Sequence, residues 1–508
     1  MSRVLFFPYF SLALVTSETG GGYALPPESE NSHGVGARLP RERPLCASST
    51  SSFARPSMEI KPQSSGRFDG LESLAVLAVL SFVGGAAAGL LGAGFRLALE
   101  QADLFREATI MRLHGAGVAG LLLVMAVCAL AVGLAAWIVR RYAPYASGSG
   151  IPHVEAVLEQ ELPPAPIRLI PVKFVGGLLA IGCGLALGRE GPSVQMGAGA
   201  AHLVGRLFRR EAADCLVLLA AGAGAGLATA FNAPIAGAIF VLEELVRRFD
   251  TRIAIATFGA STGAITVSRV FLGQEPDFTV QLQPYPGFAA VWLYLSLGVV
   301  TGLLGVLYNK TILGALATAD QFRHWPAEVL AAVVGGAVGL LAWFHPHVVG
   351  GGDVLTQRTL SGSEPVHWLL MVLAIRFVLG PVSYAARTPG GLFAPLLVIG
   401  TQSGLLFGIL CQHWVPESVV DPKALAIVGM AAFFTATVRA PITGIVLVTE
   451  MTANFTLLLP MLAACFAAIL VPTLLGDQPI YESLRVGTLR LNRSEQPAEA
   501  QRQPHNEH

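Results

Sequence analysis

Three short turns rich in glycine and proline have the composition of a site that binds an anion through its backbone. They are Gly148-Ser-Gly-Ile-Pro152, Gly188-Arg-Glu-Gly-Pro192 and Gly391-Leu-Phe-Ala-Pro395, and each precedes a helical pattern. Proline is favoured in the first turn of a helix, because the N–H group that it lacks would be unpaired there. A helix start carries about half a positive charge and unpaired N–H donors. Several such helix starts that converge would bind an anion. They make a buried lysine or arginine unnecessary, which could hold the ion too tightly for release.

Glu190 stands inside the second of these turns. A carboxylate in a long apolar sequence is costly to bury and is a functional candidate by default. An ionised carboxylate competes with an anion for the same helix starts, so we predict that Glu190 acts as a tethered anion until it is protonated. The glycines of Gly222-Ala-Gly-Ala-Gly226, in contrast, predict close helix packing and not a nucleotide-binding loop.

The composition of the chain is that of a membrane protein. Of its 508 residues, 53% are hydrophobic and 13% are charged, whereas soluble domains carry roughly a quarter charged residues. The net charge is zero, with 33 basic and 33 acidic residues, which argues against a nucleic-acid partner. The six cysteines and the His345-x-His347 pair lack metal-ligand spacing, so we expect no metal and inert thiols. The sequence therefore predicts a polytopic α-helical membrane protein.

Three segments follow one another along the chain. Residues 1–68 hold one short apolar stretch, Val4–Val15, in a polar remainder, and we expect them to be disordered or dispensable, with Met58 as an alternative start. Residues 69–484 are apolar runs interrupted by Gly and Pro, a pattern typical of broken helices around a site inside the bilayer. Residues 485–508 predict a short disordered tail. The positive-inside rule places the arginine-rich loops in the cytoplasm, and we expect both termini there.

The chain also contains an internal repeat. Ala233-Pro-Ile-Ala-Gly237 recurs as Ala440-Pro-Ile-Thr-Gly444, and the pattern G-x-x-x-P-x-x-x-x-G that begins at Gly188 recurs from Gly391. Gly148-Ser-Gly150 has a looser counterpart in Gly350-Gly-Gly352. The matches keep the same order and a similar spacing, which predicts two homologous halves, about residues 71–275 and 285–484.

The three turns, together with Phe231-Asn-Ala-Pro234, resemble the CLC family of chloride channels and chloride–proton exchangers over about residues 71–484. This resemblance implies an all-α fold whose two halves form an inverted repeat with broken and re-entrant helices. It also implies a homodimer in the inner or plasma membrane with one pathway per subunit. Such a protein transports chloride and protons, needs no cofactor and is not an enzyme.

The resemblance also assigns an anion site. Ser149, followed by Gly150, is similar to the serine whose hydroxyl contacts the central anion. Tyr481 is similar to the tyrosine that contacts the anion from the opposite side. Leu392 and Phe393 match the residues that offer backbone N–H groups to the ion.

Three charged residues receive roles from the same resemblance. Glu190 resembles the gating glutamate, and Lys173 matches a buried basic residue that raises the local electrostatic potential. Glu244 stands where exchangers carry an inner proton-transfer glutamate.

A structural interpretation of Glu243 and Glu244 stands beside the functional one. Both could belong to an ordinary helix end with i,i+4 ion pairs to Arg247 and Arg248. We prefer this interpretation for Glu243 and the proton-transfer role for Glu244. We expect Glu450, the counterpart in the repeat, to be structural.

One residue departs from the family pattern. The residue after Pro152 is commonly glutamate in the family, whereas here it is His153, with Glu155 retained. We expect His153 to be a solvated side chain at the cytoplasmic mouth of the pathway.

The leading functional prediction is a chloride–proton antiporter gated by Glu190. A passive chloride channel gated by Glu190 is the main alternative. A fluoride-selective transporter is less compatible with Ser149, because a small hydroxyl at that position suits chloride. An intramembrane hydrolase that uses Ser149 and a histidine is a distant alternative, since no oriented base can be identified.

Overall fold

The computed structural model describes residues 67–282, 287–322, 324–362, 364–414 and 421–495. Within these ranges the chain forms helices and no β-strand. Helices of the first half are α1 (Arg67–Leu113), α2 (Val118–Tyr142), α3 (Ile151–Leu158), α4 (Leu169–Gly182), α5 (Glu190–Leu207), α6 (Ala212–Phe231), α7 (Pro234–Phe240) and α8 (Thr251–Leu272). Those of the second half are α9 (Val291–Gln321), α10 (Ala327–Phe344), α11 (Asp353–Ser361), α12 (Val366–Ala385), α13 (Phe393–Cys411), α14 (Pro422–Val438), α15 (Pro441–Thr452), α16 (Leu458–Leu474) and α17 (Ile480–Glu495).

Helix length and hydropathy agree with a multi-pass membrane protein. Eight of the described helices are long and apolar enough to cross a bilayer: α1, α2, α6, α8, α9, α10, α12 and α13. Others are too short to cross, among them α3 with eight residues and α7 with seven. A span needs about 20 residues, so these short helices must be re-entrant or broken. The predicted all-α polytopic fold with interrupted helices is confirmed.

The two halves repeat the same packing. Helix α1 packs on α8 as α9 packs on α16, and α5 packs on α6 as α13 packs on α14. Within the α5–α6 pair, Gly197 and Gly222 face each other so closely that a side chain on either would overlap the backbone of the other. The predicted packing role of the Gly222–Gly226 segment is confirmed.

Helices α7 and α15 meet across the repeat in antiparallel directions. Glu243, just after α7, accepts hydrogen bonds from two N–H groups at the start of α15, at 3.0 and 2.6 Å. Glu450, near the end of α15, accepts two from the start of α7, at 3.1 and 2.8 Å. Each helix therefore ends at the start of its counterpart, the relation that an inverted repeat requires. A carboxylate at a helix start satisfies unpaired N–H groups and the helix dipole.

Two expectations about the ends of the chain have different outcomes. The segment 1–68 lies outside the described residues except for its last two. Helix α17 continues to Glu495, so the first part of the segment predicted to be a disordered tail, residues 485–508, is helical. Arg485 in this helix forms an ion pair of 3.3 Å with Glu161 after α3, which ties the helix to the membrane domain. The rest of the tail lies outside the described residues.

Candidate functional site

Backbone pairing between the two halves brings the three predicted turns together. The N–H group of Gly188 donates to the carbonyl of Gly391 at 2.9 Å, and the N–H group of Gly391 donates back at 2.8 Å. Gly148 donates to the carbonyl of Thr388 at 3.1 Å and accepts from the N–H group of Gly390 at 3.0 Å. The starts of α3, α5 and α13 are thereby held next to one another, although those of α3 and α13 lie 242 residues apart in the chain.

Glu190 lies at the centre of this arrangement. It is the first residue of α5 and is fully buried. Its carboxylate interacts with the backbone N–H groups of Phe393 and Ala394 at the start of α13, with Oε1 3.4 Å from the nitrogen of Ala394. A side chain at Gly188 or Gly391 would overlap this carboxylate, so the two glycines leave the space in which it lies. The carboxylate therefore occupies a backbone cradle of the kind that binds anions.

Ser149 and Tyr481 lie beside this cradle. Both side chains are completely buried, and their hydroxyl groups are close enough to interact with each other. Neither hydroxyl makes a hydrogen bond of ordinary geometry to another described residue. Buried hydroxyl groups normally have a partner, so two that converge with no other partner among the described residues form a polar spot that suits a ligand with acceptor character. Gly150 follows Ser149 in the left-handed conformation, with φ of 85°, and directly precedes α3.

A group of aromatic rings surrounds Phe393. Its ring centroid lies 4.7 Å from that of Phe434, 5.7 Å from Phe240, 5.9 Å from Tyr481 and 6.2 Å from Phe231. Phe393 itself is fully buried. These rings give the cradle a rigid apolar wall in which the few polar groups are precisely held donors.

Lys173 supports the loop that carries Ser149. The side chain is fully buried, and Nζ donates to the carbonyl groups of Gly148 at 2.8 Å and Ala146 at 3.0 Å. The sequence predicts that Lys173 raises the local electrostatic potential. In the structure, the same ammonium group holds the loop that carries Ser149 in place. Tyr384, which the sequence did not single out, lies at the other side of the loop, with its hydroxyl 3.4 Å from the nitrogen of Ser149.

Glu244 belongs to a charged cluster at one end of the helices. It lies in a turn of π-helix, Val241–Leu245, that follows α7, and it is only 4% exposed. Arg247 forms ion pairs with Glu155 at 2.9 Å and with Glu482 at 3.2 Å, and its guanidinium is 3.9 Å from Glu244. We call the end of the molecule that contains this cluster the Arg247 face.

The structure corrects the expected ion pairs of Glu243. Instead of pairing with Arg247 at i,i+4, Glu243 accepts hydrogen bonds from the backbone and side chain of Thr443 at 2.6 and 2.7 Å. The π-turn is the physical reason, because it rotates successive side chains relative to an α-helix and directs Glu243 towards α15. Glu450 has the matching structural role that was predicted for it.

His153 is also placed differently from the prediction. It is 6% exposed and not solvated, since its ring packs against that of Tyr145 with 4.7 Å between centroids. The first turn of α3 is enclosed by the chain, so this position is buried although the residue is polar.

Arg189 belongs to a second charged cluster, at the opposite end of the molecule. It donates to the carbonyl of Ala230 at 2.9 Å, forms an ion pair with Asp353 and lies 3.5 Å from Asp277. Asp277 also pairs with Arg96 at 2.9 Å. Helix α8, about 33 Å long for its 22 residues, separates this end from the Arg247 face. We call it the Asp277 face.

Comparison with known proteins agrees with this geometry. A family described as "Voltage gated chloride channel" matches residues 128–473. The H(+)/Cl(-) exchange transporter ClcA of Cronobacter sakazakii is 39% identical over 432 residues, which cover 83% of this chain and 92% of that protein. The chain belongs to this family, the CLC family. The ClcA protein of Yersinia pestis is another relative, 37% identical over 82% of this chain and 88% of its own length.

Solved structures of CLC proteins have the same fold. A slow cyanobacterial Cl−/H+ antiporter matches with a TM-score of 0.78 and 32% identity, over 82% of this chain and 98% of that one. A CLC-type fluoride/proton antiporter matches with a TM-score of 0.66 over 80% and 96% of the two chains, and at 24% identity this likeness concerns the fold alone. The fold of this chain is therefore the CLC fold.

Proposed function

We propose that this CLC protein is a chloride–proton antiporter in which Glu190 acts as the gate. The observation that carries the proposal is the position of the Glu190 carboxylate, which interacts with the first N–H groups of α13 as a bound anion would. Chloride and the ionised carboxylate compete for these donors. Protonation neutralises the carboxylate and frees the donors, which links proton binding to anion occupancy. The antiporter names of the relatives support the same proposal.

The anion site in this proposal lies between Ser149 and Tyr481. Their unsatisfied hydroxyl groups would donate to a dehydrated chloride, next to the start of α13 that includes Leu392 and Phe393. Lys173 holds the Ser149 loop and contributes positive potential without contacting the ion directly. Neutral donors of this kind bind chloride while allowing its release.

The proton path in this proposal uses a separate entrance on the Arg247 face. Glu244 is nearly buried, and its Oε1 has no hydrogen-bond partner among the described residues. Tyr481 lies within electrostatic reach of both Glu244 and Glu190. Protons would load at Glu244 and pass beside Tyr481 to Glu190, whereas chloride passes through the Ser149 loop.

The Arg247 face is assigned to the cytoplasm. Arg247 and Arg248 lie before α8 at this face and Arg252 lies in its first turn, and the positive-inside rule favours the cytoplasmic side for such a basic segment. With this orientation, the Asp277 face is the outer side. We place the protein in the inner or plasma membrane, with both termini in the cytoplasm.

We propose a homodimer with one pathway per subunit. Each chain contains its own Ser149, Glu190 and Tyr481, which supports a complete pathway in each subunit. The short helices α7 and α15 start at positions where Ile235 and Ile442 are about half exposed. Irregular backbone at membrane depth is not stable against lipid, so a second copy of the chain is a suitable cover for these starts.

Alternative functions are less compatible with the site. A hydrolase needs a base that is hydrogen-bonded to its nucleophile, but Ser149 Oγ has no such partner among the described residues. A passive channel would share the cradle and differ in lacking coupled proton movement.

Simultaneous measurement of the two fluxes tests the proposed function. In liposomes with a chloride gradient, chloride that leaves should drive protons in the opposite direction, against their own gradient. A chloride electrode and a pH electrode in the same bath record both movements. Chloride flux without any proton movement would contradict the antiporter proposal and support the passive channel instead.

The Ser149→Ala variant tests the anion site. Loss of a hydrogen bond to a charged ligand should weaken chloride binding by about 1.5–3 kcal/mol, roughly ten- to hundredfold. Isothermal titration with chloride measures this change. Ser261→Ala is the matched control, because Ser261 is also buried with an unpaired hydroxyl but lies in α8. Equal affinities for Ser149→Ala and the unchanged protein would remove Ser149 from the site.

A further inference from the structure

A cleft with a volume of about 1080 Å³ lies beside α3, between the loop that follows this helix and the adjacent parts of α4, α5 and α6. We call it the α5 cleft. His153 and Val157 of α3 line it, whereas Glu155 between them pairs with Arg247. Among the described residues, none of those assigned to the anion site lines this cleft. The α5 cleft is therefore separate from the proposed path of the anion.

The mouth of the α5 cleft lies on the Arg247 face. Arg206, in the last turn of α5, and Arg210, just after this helix, line the cleft, and Arg206 is exposed. Arg210 forms an ion pair with Asp214 at 2.6 Å, and the same carboxylate pairs with Arg252 at 2.7 Å. Because Arg252 belongs to the first turn of α8, the mouth opens at the end of the molecule where α8 begins.

From the mouth, the cleft follows α5 into the molecule. The α5 residues that line it share one face of the helix and are Gln195, Ala198, Gly199, His202, Leu203 and Arg206. Eleven positions separate the first from the last, which is about 16 Å at the rise of an α-helix. The hydrocarbon core of a bilayer is about 30 Å thick. The cleft is therefore about as long as one leaflet of the core is deep.

Most of the wall of the cleft is apolar. Residues from three helices contribute to it, among them Val154, Ile170, Leu203, Leu216 and Leu219. At the inner end, Gln195 donates from Nε2 to the carbonyl of Tyr145 at 2.9 Å, and its Oε1 is completely buried, as is Nε2 of His153. These polar atoms do not face the cleft, so its inner part suits an apolar ligand.

Large apolar side chains are also exposed around the mouth. Ile167 and Leu203 line the cleft and are both exposed. Leu207 and Phe208, at the end of α5, are exposed as well. Exposed apolar surface of this kind marks a contact with a membrane or a protein, and in a chain that spans a bilayer lipid is the medium that covers it. The mouth therefore opens towards lipid near the end of the helices.

Positive charge exceeds negative charge at this mouth. Five arginines stand near two carboxylates: Arg168, Arg206, Arg209, Arg210 and Arg252 against Asp214 and Glu211. The carboxylate of Glu161, which also lines the cleft, is paired with Arg485 at 3.3 Å. Arg206 itself forms no ion pair within the part of the chain that the structure describes. An apolar cleft with an exposed arginine at its mouth has the charge and polarity of an anionic amphiphile in reverse.

We propose that the α5 cleft binds one anionic phospholipid of the leaflet on the Arg247 face, with its phosphate at Arg206 and Arg210 and one acyl chain along α5 towards Gln195. Guanidinium groups suit phosphate because their planar N–H donors match its oxygens. The excess of arginine at the mouth favours a lipid with net negative charge over a zwitterionic one. This site requires only the membrane fold and does not depend on whether the protein exchanges protons.

Native mass spectrometry of the purified full chain in detergent tests the phosphate contact. The unchanged protein should retain one phosphatidylglycerol per chain and bind phosphatidylethanolamine more weakly. Arg206→Gln should weaken phosphatidylglycerol binding about fivefold. Arg209→Gln is the matched control, because it removes the same charge three residues away from a side chain that does not line the cleft. An equal loss in both variants, or equal affinity for the two lipids, would overturn the site.

Gly199→Leu tests whether an acyl chain occupies the cleft. A Cβ atom at Gly199 would meet only Ile170, at ordinary contact distances of 3.5 and 3.6 Å, so α5 accepts a side chain that fills the cleft. This variant should lose the bound phosphatidylglycerol although every arginine at the mouth remains. Arg206→Gln changes an exposed residue, so it tests the site even if Gly199→Leu fails to fold.

The same measurements distinguish other occupants of the cleft. Glycerol phosphate has the phosphate without the acyl chains and should not displace phosphatidylglycerol at equal concentration. Displacement by glycerol phosphate would assign the arginines to a soluble anion and overturn the lipid. A loss of dimers in Gly199→Leu with the lipid retained would assign the cleft to a second copy of the chain. Phosphatidylglycerol that stays bound equally in every variant would also exclude the α5 cleft as its site.

Discussion

Glu190→Gln should leave chloride transport intact, make it independent of pH and abolish proton movement. The amide has nearly the same shape as the carboxylate, so the cradle at Gly188 and Gly391 is preserved. It carries no charge at any pH, so it no longer competes with chloride for the N–H groups of Phe393 and Ala394. Without a titrating group at the crossing of the two paths, no proton is exchanged for an anion.

Flux measurements over a range of pH check this result. The unchanged protein should transport chloride faster as the pH falls through the range in which Glu190 becomes protonated, and the variant should give a flat profile. Proton flux in the variant should fall to the leak of empty liposomes. Glu159→Gln is a suitable control, because it makes the same change at an exposed carboxylate. A Glu190→Gln protein that still moves protons against a gradient would contradict the assignment of Glu190 as the gate.

Glu244→Gln should abolish proton movement while chloride flux continues. Glu244, like Glu155, is a nearly buried carboxylate of the Arg247 face with one oxygen that lacks a hydrogen-bond partner among the described residues. Glu244 also lies within electrostatic reach of Tyr481. A neutral amide at this position cannot load a proton. Glu190 still titrates from the outer side, so chloride transport should keep its response to outer pH.

Glu243→Gln provides the neighbouring control for this experiment. The Glu243 side chain binds the start of α15 and does not face Arg247, and glutamine keeps one oxygen that can accept from Thr443. We expect coupling to remain largely intact in this variant. Parallel recordings of chloride and proton flux compare the two proteins. Proton transport that survives in Glu244→Gln at the level of the unchanged protein would exclude Glu244 from the path.

Much of this protein follows from local sequence. The apolar content determines a helical membrane fold, since only structures that satisfy their own backbone hydrogen bonds are stable in lipid. The turns at Gly148, Gly188 and Gly391 can be predicted from the sequence, because glycine and proline determine backbone conformation within a few residues. The recurrence of Ala233-Pro and Ala440-Pro shows the repeat without any structure.

The tertiary structure alone decided how distant groups meet. Glu243 and Glu244 are adjacent and chemically identical, yet a π-turn sends one to α15 and leaves the other near Arg247. His153 is buried by packing that its own polarity opposes.

The ion pairs of the Asp277 face also depend on tertiary packing and not on local sequence. Arg189 lies in one of the glycine- and proline-rich turns, but no feature of the neighbouring sequence predicts Asp277 or Asp353 as its partners. Such pairs join residues 88 and 164 positions apart, and they depend on the rotation and tilt of packed helices. Local sequence thus determined which helix starts exist, because backbone conformation is a short-range property. Packing determined which charges share a cavity, because side-chain contacts between helices are a long-range property of the folded chain.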